Sequence, residues 1–196
     1  MNEGKTILID FWETIAESKE RDRLWKKVLK SFEYSSINKS NFFKYWKEKW
    51  FKSIIGEEEF IEELRKKFSI KSDQAMALRG ILDYRNLTLI DGRLDSLSNL
   101  KKSNYKIHLV SDCGRDIKEF VEKSELNKIL SKRFYSFEYG TTKDEDLYRR
   151  VSEEVGFNCL MIGDDFKRDY EAPKQYGFRS NLIKKSDRLE DVIWNN

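Results

Sequence analysis

The sequence predicts an α/β fold, a parallel sheet covered by helices, with a separate helical unit inserted after the first strand. Three observations lead there. A short apolar run near the start, "TILI", ends in an acid. From about Ala16 to Asn86 the chain is aromatic, highly charged and helical in period. After about Leu87, apolar runs alternate with amphipathic stretches, the pattern of a parallel sheet with helices on both faces.

The first strand is Thr6–Ile9, β-branched at its start, and it delivers Asp10. Leu24, Trp25, Val28, Leu29 and Phe32 then form one helical stripe, and Phe42, Phe43, Trp46, Trp50 and Phe51 a second. Phe60, Ile61, Leu64 and Phe68 give a third, and "SDQAMALRGILDY" a fourth that opens on a serine or aspartate cap. These aromatics are read as the core of a small bundle rather than as a ligand box. Beyond it the predicted elements are a helix over 94–103, a strand over 105–111, helices over 115–124 and 125–130, and a strand over 133–138. A helix over 144–155, a strand over 159–165, a helix from near Ala172 with Pro173 in its first turn, and a last strand in "SNLIKK" complete the order. Residues 1–15 and 88–196 thus form a Rossmann-like core domain, and 16–87 a helical domain inserted into it.

Composition narrows the function. Charged residues are 37% of the 196, yet 38 basic against 35 acidic leave a net charge of only +3. That balance argues against a nucleic-acid or membrane-surface partner. No run reaches the ~20 apolar residues of a membrane span, and "MNEGK" lacks the layout of a signal peptide. Two cysteines, Cys113 and Cys159, are too few for a disulfide framework, so a cytoplasmic protein with reduced thiols is expected. The single histidine, His108, falls short of its strand's end, so no His-based triad or zinc site is expected at the carboxyl edge.

In an open parallel sheet, ligands bind at the carboxyl ends of the strands. The predicted strand ends present Asp10, with Trp12 and Thr14 on the following loop; Ser111, with Asp112, Cys113 and Gly114; Lys143 in "EYGTTKDED"; and Gly163-Asp164-Asp165, with Asp169 one turn on. A carboxylate can attack phosphorus. A hard cation held by two carboxylates offsets repulsion between an anionic nucleophile and an anionic substrate, and Mg²⁺ suits Asp10 and Asp164. A serine hydroxyl and loop N–H groups hold phosphate oxygens, and a lysine adds a point charge. The expected partner is a small phosphorylated substrate, held by Ser111, Asp112 and Lys143.

Taken together, "ILIDFWETI", "IHLVSDCG", "GTTKDEDLY" and "MIGDDFKRDYEAPKQYGF" resemble the four motifs of the haloacid dehalogenase superfamily over nearly the whole chain. The inserted unit lies where subclass I of that superfamily carries its helical cap. The resemblance implies Asp10 as nucleophile, Ser111 as phosphate ligand, Lys143 as charge stabiliser and Asp164 as metal ligand. It implies Asp165 and Asp169 in or beside the metal site, and the backbone carbonyl of Trp12 as a further ligand. The cap, through aromatics such as Trp25 or Trp46, would exclude water and choose the substrate.

Trp12 departs from the pattern. The superfamily's phosphatases carry there an aspartate that protonates the leaving group and then activates water, and indole does neither. Glu13 is the neighbouring acid and an alternative proton donor, although it would point differently from that position. Four readings follow: a phosphatase or phosphotransferase whose leaving group needs little protonation, such as an acyl or phenyl phosphate; a dehalogenase; a phosphonate-cleaving enzyme; or a phosphate-ligand binding protein without turnover.

Overall fold

The computed structural model describes residues 5–194. Among them the strands are, in chain order, β1 (Thr6–Ile9), β2 (Ala16–Glu17), β3 (Thr88–Leu89), β4 (Lys106–Ser111), β5 (Lys132–Tyr135), β6 (Cys159–Gly163) and β7 (Arg179–Leu182). Five of them form one parallel sheet in the order β5-β4-β1-β6-β7. β1 is central, with Ile9 in register with Leu109 on one side and Ile162 on the other. Successive residues of β1 serve opposite faces: Ile7 and Ile9 join one apolar cluster and Leu8 joins another. Both faces are therefore covered, which explains why the strand is apolar from Ile7 to Ile9 rather than alternating.

Helices α1 (Lys19–Phe32), α2 (Lys39–Trp46), α3 (Glu57–Phe68) and α4 (Ser72–Leu82) fill the stretch between β2 and β3. Ser18 starts α1 by accepting the Arg21 amide at 3.1 Å. The predicted cap of α4 shifts by one: Lys71 precedes the helix, and its amide donates to the Gln74 side chain at 2.8 Å. The four stripes converge on an apolar cluster confined to residues 28–82, built around Phe42, Trp46, Phe60 and Leu64. Past α2 the chain makes one wide turn, Lys47–Phe51, which carries Trp50 onto the loop after β4. The exit and re-entry of this unit are zipped together by antiparallel pairing of β2 with β3, Ala16 opposite Leu89. That two-residue ribbon is too short to leave a mark in the sequence pattern.

The remaining helices are α5 (Arg93–Lys102), α6 (Arg115–Lys123), α7 (Leu126–Ile129), α8 (Ser136–Tyr139), α9 (Leu147–Val155), α10 (Ala172–Lys174) and α11 (Leu189–Trp194). Two expectations are corrected. The strand predicted over 133–138 stops at Tyr135, and Ser136 turns the chain into α8, because its hydroxyl accepts the Cys113 amide at 2.9 Å. The helix expected near Ala172 is the tail of a wide turn over Phe166–Glu171, which Asp165 caps. Met1–Gly4, part of the stretch read for a leader, lie outside the described residues. No helix among the described residues is long and apolar enough to cross a membrane.

His108 is 5% exposed in β4, and its Nδ1 has no partner among the described residues. Burial, with Lys132 and Lys106 adding to it, pushes the imidazole pKa down to about 4. The unfolded chain takes up a proton near pH 6.5 that the folded chain refuses until about pH 4. Stability is thus expected to fall as the pH drops through that window. Urea unfolding at pH 7 and pH 4.5 should differ by roughly 2 kcal/mol more in the parent than in His108→Phe.

Candidate active site

The site forms where β1, β4 and β6 end side by side. The Asp10 amide donates to the Ile162 carbonyl at 2.9 Å, which fixes the first residue beyond β1 against the end of β6. Asp10 is 5% exposed, and its carboxylate receives the Lys143 ammonium. The same ammonium donates to Asp169 Oδ1 at 2.6 Å. The Lys143 amide donates to Asp112 Oδ1 at 2.8 Å, so Asp112 anchors the lysine loop. Its other oxygen lies 3.7 Å from the Arg168 guanidinium. Ser111 ends β4 fully buried, and neither its Oγ nor Thr14 Oγ1 has a partner among the described residues. These two buried hydroxyls lie on the loop after Asp10 and at the end of the strand beside β1.

Asp164 stands exposed past the end of β6, whereas Asp169 is buried. Oxygens of Asp10, Asp164 and Asp169 lie within 4.8 Å of one another. Gly163 makes this possible: a Cβ there would fall 2.4 Å from the Asp169 carboxylate. Gly163→Ala is expected to displace Asp169 and to weaken Mg²⁺ binding by about 10–100-fold in calorimetric titration, with a stability loss of about 1–3 kcal/mol. Asp165 faces elsewhere; its carboxylate accepts the Arg168 amide at 2.8 Å and the Arg168 guanidinium at 2.8 and 3.0 Å.

Burial pushes the Asp10 pKa up to about 7, with Asp169 and Asp164 adding to the rise and Lys143 opposing it. Burial and Asp169 likewise raise Asp164. Burial disfavours the Lys143 charge, but Asp10, Asp169 and Asp112 outweigh it and hold the ammonium well above its ordinary range. Three carboxylates thus crowd one ammonium, an excess of negative charge that a divalent cation would relieve. All the donors are oxygens and one of them is exposed, which fits Mg²⁺ with exchangeable waters.

Trp12 is half-buried, its ring edge-on to Phe11 at 5.5 Å, with the Arg21 guanidinium 4.4 Å from its centroid. Glu13 holds a left-handed φ of 53° and its carboxylate pairs with Lys185. Trp12 carries no acid, and the Glu13 carboxylate is held by Lys185. Cys113 is buried, and burial, with Asp116 next, raises its thiol well above the ordinary range, which makes it inert.

Sequence reading missed Arg93, which is 2% exposed. Its guanidinium donates to the carbonyls of Thr14 at 2.7 Å and Lys184 at 3.0 Å, tying the loop after β1 to the C-terminal segment. A charged residue at the start of an amphipathic helix carries no mark of such a role.

Acids, a lysine and a buried hydroxyl thus gather at the carboxyl edge of a Rossmann-like parallel sheet. The chain belongs to the haloacid dehalogenase-like hydrolases: that family matches residues 5–177. No curated protein matches the sequence. Among solved structures, a HAD family enzyme from Bacteroides thetaiotaomicron in complex with magnesium is 19% identical, with a TM-score of 0.74 over 98% of this chain and 100% of that one. The same enzyme with magnesium and inorganic phosphate gives 17% identity and a TM-score of 0.71 over 96% and 98%. A HAD-like family hydrolase from Porphyromonas gingivalis is 17% identical, with a TM-score of 0.70 over 96% and 95%. At these identities the likeness shows a shared fold.

Proposed function

We propose that the protein is a Mg²⁺-dependent phosphohydrolase acting on a small phosphorylated molecule through an aspartyl-phosphate at Asp10. The observation that carries this reading is the convergence of Asp10, Asp164 and Asp169 around Lys143 at the ends of β1 and β6. Asp10, Asp164, Asp169 and the Trp12 carbonyl would hold the cation. When bound, it neutralises charge between the carboxylate and the phosphoryl oxygens. Ser111 Oγ and the loop N–H groups after it bind the phosphoryl oxygens, and Lys143 keeps a positive charge beside them. An Asp10 oxygen bonds to phosphorus as the ester P–O bond breaks and its electron pair leaves with the alcohol oxygen. Water then attacks phosphorus and loses a proton to solvent as the P–O bond to Asp10 breaks, which frees the Asp10 carboxylate and phosphate. Trp12 donates no proton, so the departing oxygen takes its proton from solvent. Helices α1–α4 act as a cap domain over the site, and residues 1–15 with 88–196 as the catalytic domain.

The test is phosphate release from phosphomonoesters with Mg²⁺, with chelator, and with Mg²⁺ restored. Loss under chelator and recovery with Mg²⁺ are expected. Halide release indifferent to chelator would assign a dehalogenase. Phosphate binding without turnover would assign a ligand-binding protein.

A further inference from the structure

Between the loops leaving β1 and β4 and the helical unit lies a cavity of about 170 Å³. Its floor is Trp12, Cys113 and Gly114, within three residues of Asp10 or Ser111, and Trp25, Trp46 and Trp50 come from the helical side. We infer that this cavity takes the aromatic leaving group of an aryl phosphomonoester bearing an acceptor, such as a carboxylate, that Arg21 binds. The inference rests on the phosphohydrolase reading and deepens it.

Size comes first. A dry cavity of about 150 Å³ holds one benzene ring. Four of the chain's five tryptophans line this one, and aromatic walls favour a flat ring by stacked or edge-on contacts.

Charge decides what the ring carries. Arg21, also lining the cavity, is 7% exposed. Its Nη2 donates to Asp116 Oδ2 at 2.6 Å, and Trp50 Nε1 donates to Asp116 Oδ1 at 3.2 Å. Arg21 Nη1 is buried and has no acceptor among the described residues. Asp116, paired with Arg21, and Asp22 also line the cavity, and the face of Trp12 turned to Arg21 already carries the guanidinium. An alkyl group would leave Nη1 unpaired, and a buried unpaired donor is costly. A ring with an acceptor satisfies both the walls and the guanidinium.

Trp12 ties the pocket to the chemistry. The residue that removes the proton donor also forms the cavity wall. An aryloxide leaves without prior protonation far more readily than an alkoxide, so one substitution suits both the shape and the reactivity of the same substrate class.

The experiment has a binding arm and a turnover arm. Tryptophan fluorescence is titrated with 4-hydroxybenzoate, without metal or phosphate, for the parent, Arg21→Lys and Trp25→Leu. Saturable quenching is expected in the parent, weakened at least about tenfold in Arg21→Lys, which keeps the Asp116 pair but loses the planar fork. Trp25→Leu, at a partly exposed position, reads the wall should Arg21→Lys fail to fold. For turnover, the parent should favour the para-carboxylated ester of phenyl phosphate over phenyl phosphate itself by about tenfold or more in kcat/KM, a preference that Arg21→Lys abolishes. Quenching without phosphate release would overturn the phosphohydrolase reading and the leaving-group role together, and keep only a binding site for the acceptor-bearing ring. Phosphate release without quenching, or with no preference between the two esters, would overturn the subsite and keep the phosphohydrolase.

Discussion

Asp10→Asn is expected to lower phosphate release by about 10⁴-fold or more, because in the proposed reaction Asp10 forms the bond to phosphorus. The amide is close in shape to the carboxylate, and Lys143 keeps Asp169 as a partner. The fold should therefore survive. Its stability tests the electrostatics separately. The Asp10 carboxyl titrates near 7 in the folded chain, because burial disfavours its charge, against about 4 when unfolded. Its contribution to stability is present below about pH 4 and is lost as the pH rises through about 7. At pH 8 the parent carries a buried, ionised Asp10 crowded by Asp169 and Asp164, and the asparagine variant does not. Thermal melts at pH 8 should place the variant no lower than the parent. A variant within tenfold of parental activity would remove Asp10 as the nucleophile.

Trp12→Asp is the second large effect, and it runs the other way. A positioned acid is worth about 10²–10⁴-fold. Restoring a carboxyl two residues after Asp10 should raise kcat for an alkyl phosphomonoester such as glycerol 3-phosphate by an amount in that range. The pH profile should gain a limb on the alkaline side, where the new acid loses its proton. An aryl ester should gain far less, since its leaving group needs no proton, and the cavity loses a wall at the same time. An unchanged rate on the alkyl ester would show that Trp12 does not stand in for a missing acid.

Much of this could be read from local pattern. β1 was legible to the residue, because a short apolar run bounded by polar residues has few alternatives. Asp10, Ser111 and Asp164 could be placed at one edge because parallel topology sends strand ends there. "RFYSFE" misled because aromatic residues at 134, 135 and 137 suit a strand or one helical turn. What decides is Ser136 meeting Cys113, a contact 23 residues away in sequence. Arg21 was illegible for the same reason. On a helix of alternating charges it looks solvated, and its partner Asp116 is 95 positions distant. Asp165 and Asp169 look alike in "GDDFKRD". Only the wide turn over Phe166–Glu171 separates them, sending one to Arg168 and the other toward Gly163.

The ribbon of β2 and β3 brings Glu17 and Thr88 together, so 70 residues of chain depart and return at one point. Whatever lies between them closes a loop whose ends are already joined, and lengthening such a loop costs little entropy. The pairing of Ala16 with Leu89 and Glu17 with Thr88 is itself independent of what hangs from that point. The inserted segment can therefore change in length and sequence while Asp10, Asp164, Asp169 and Lys143 stay where they are.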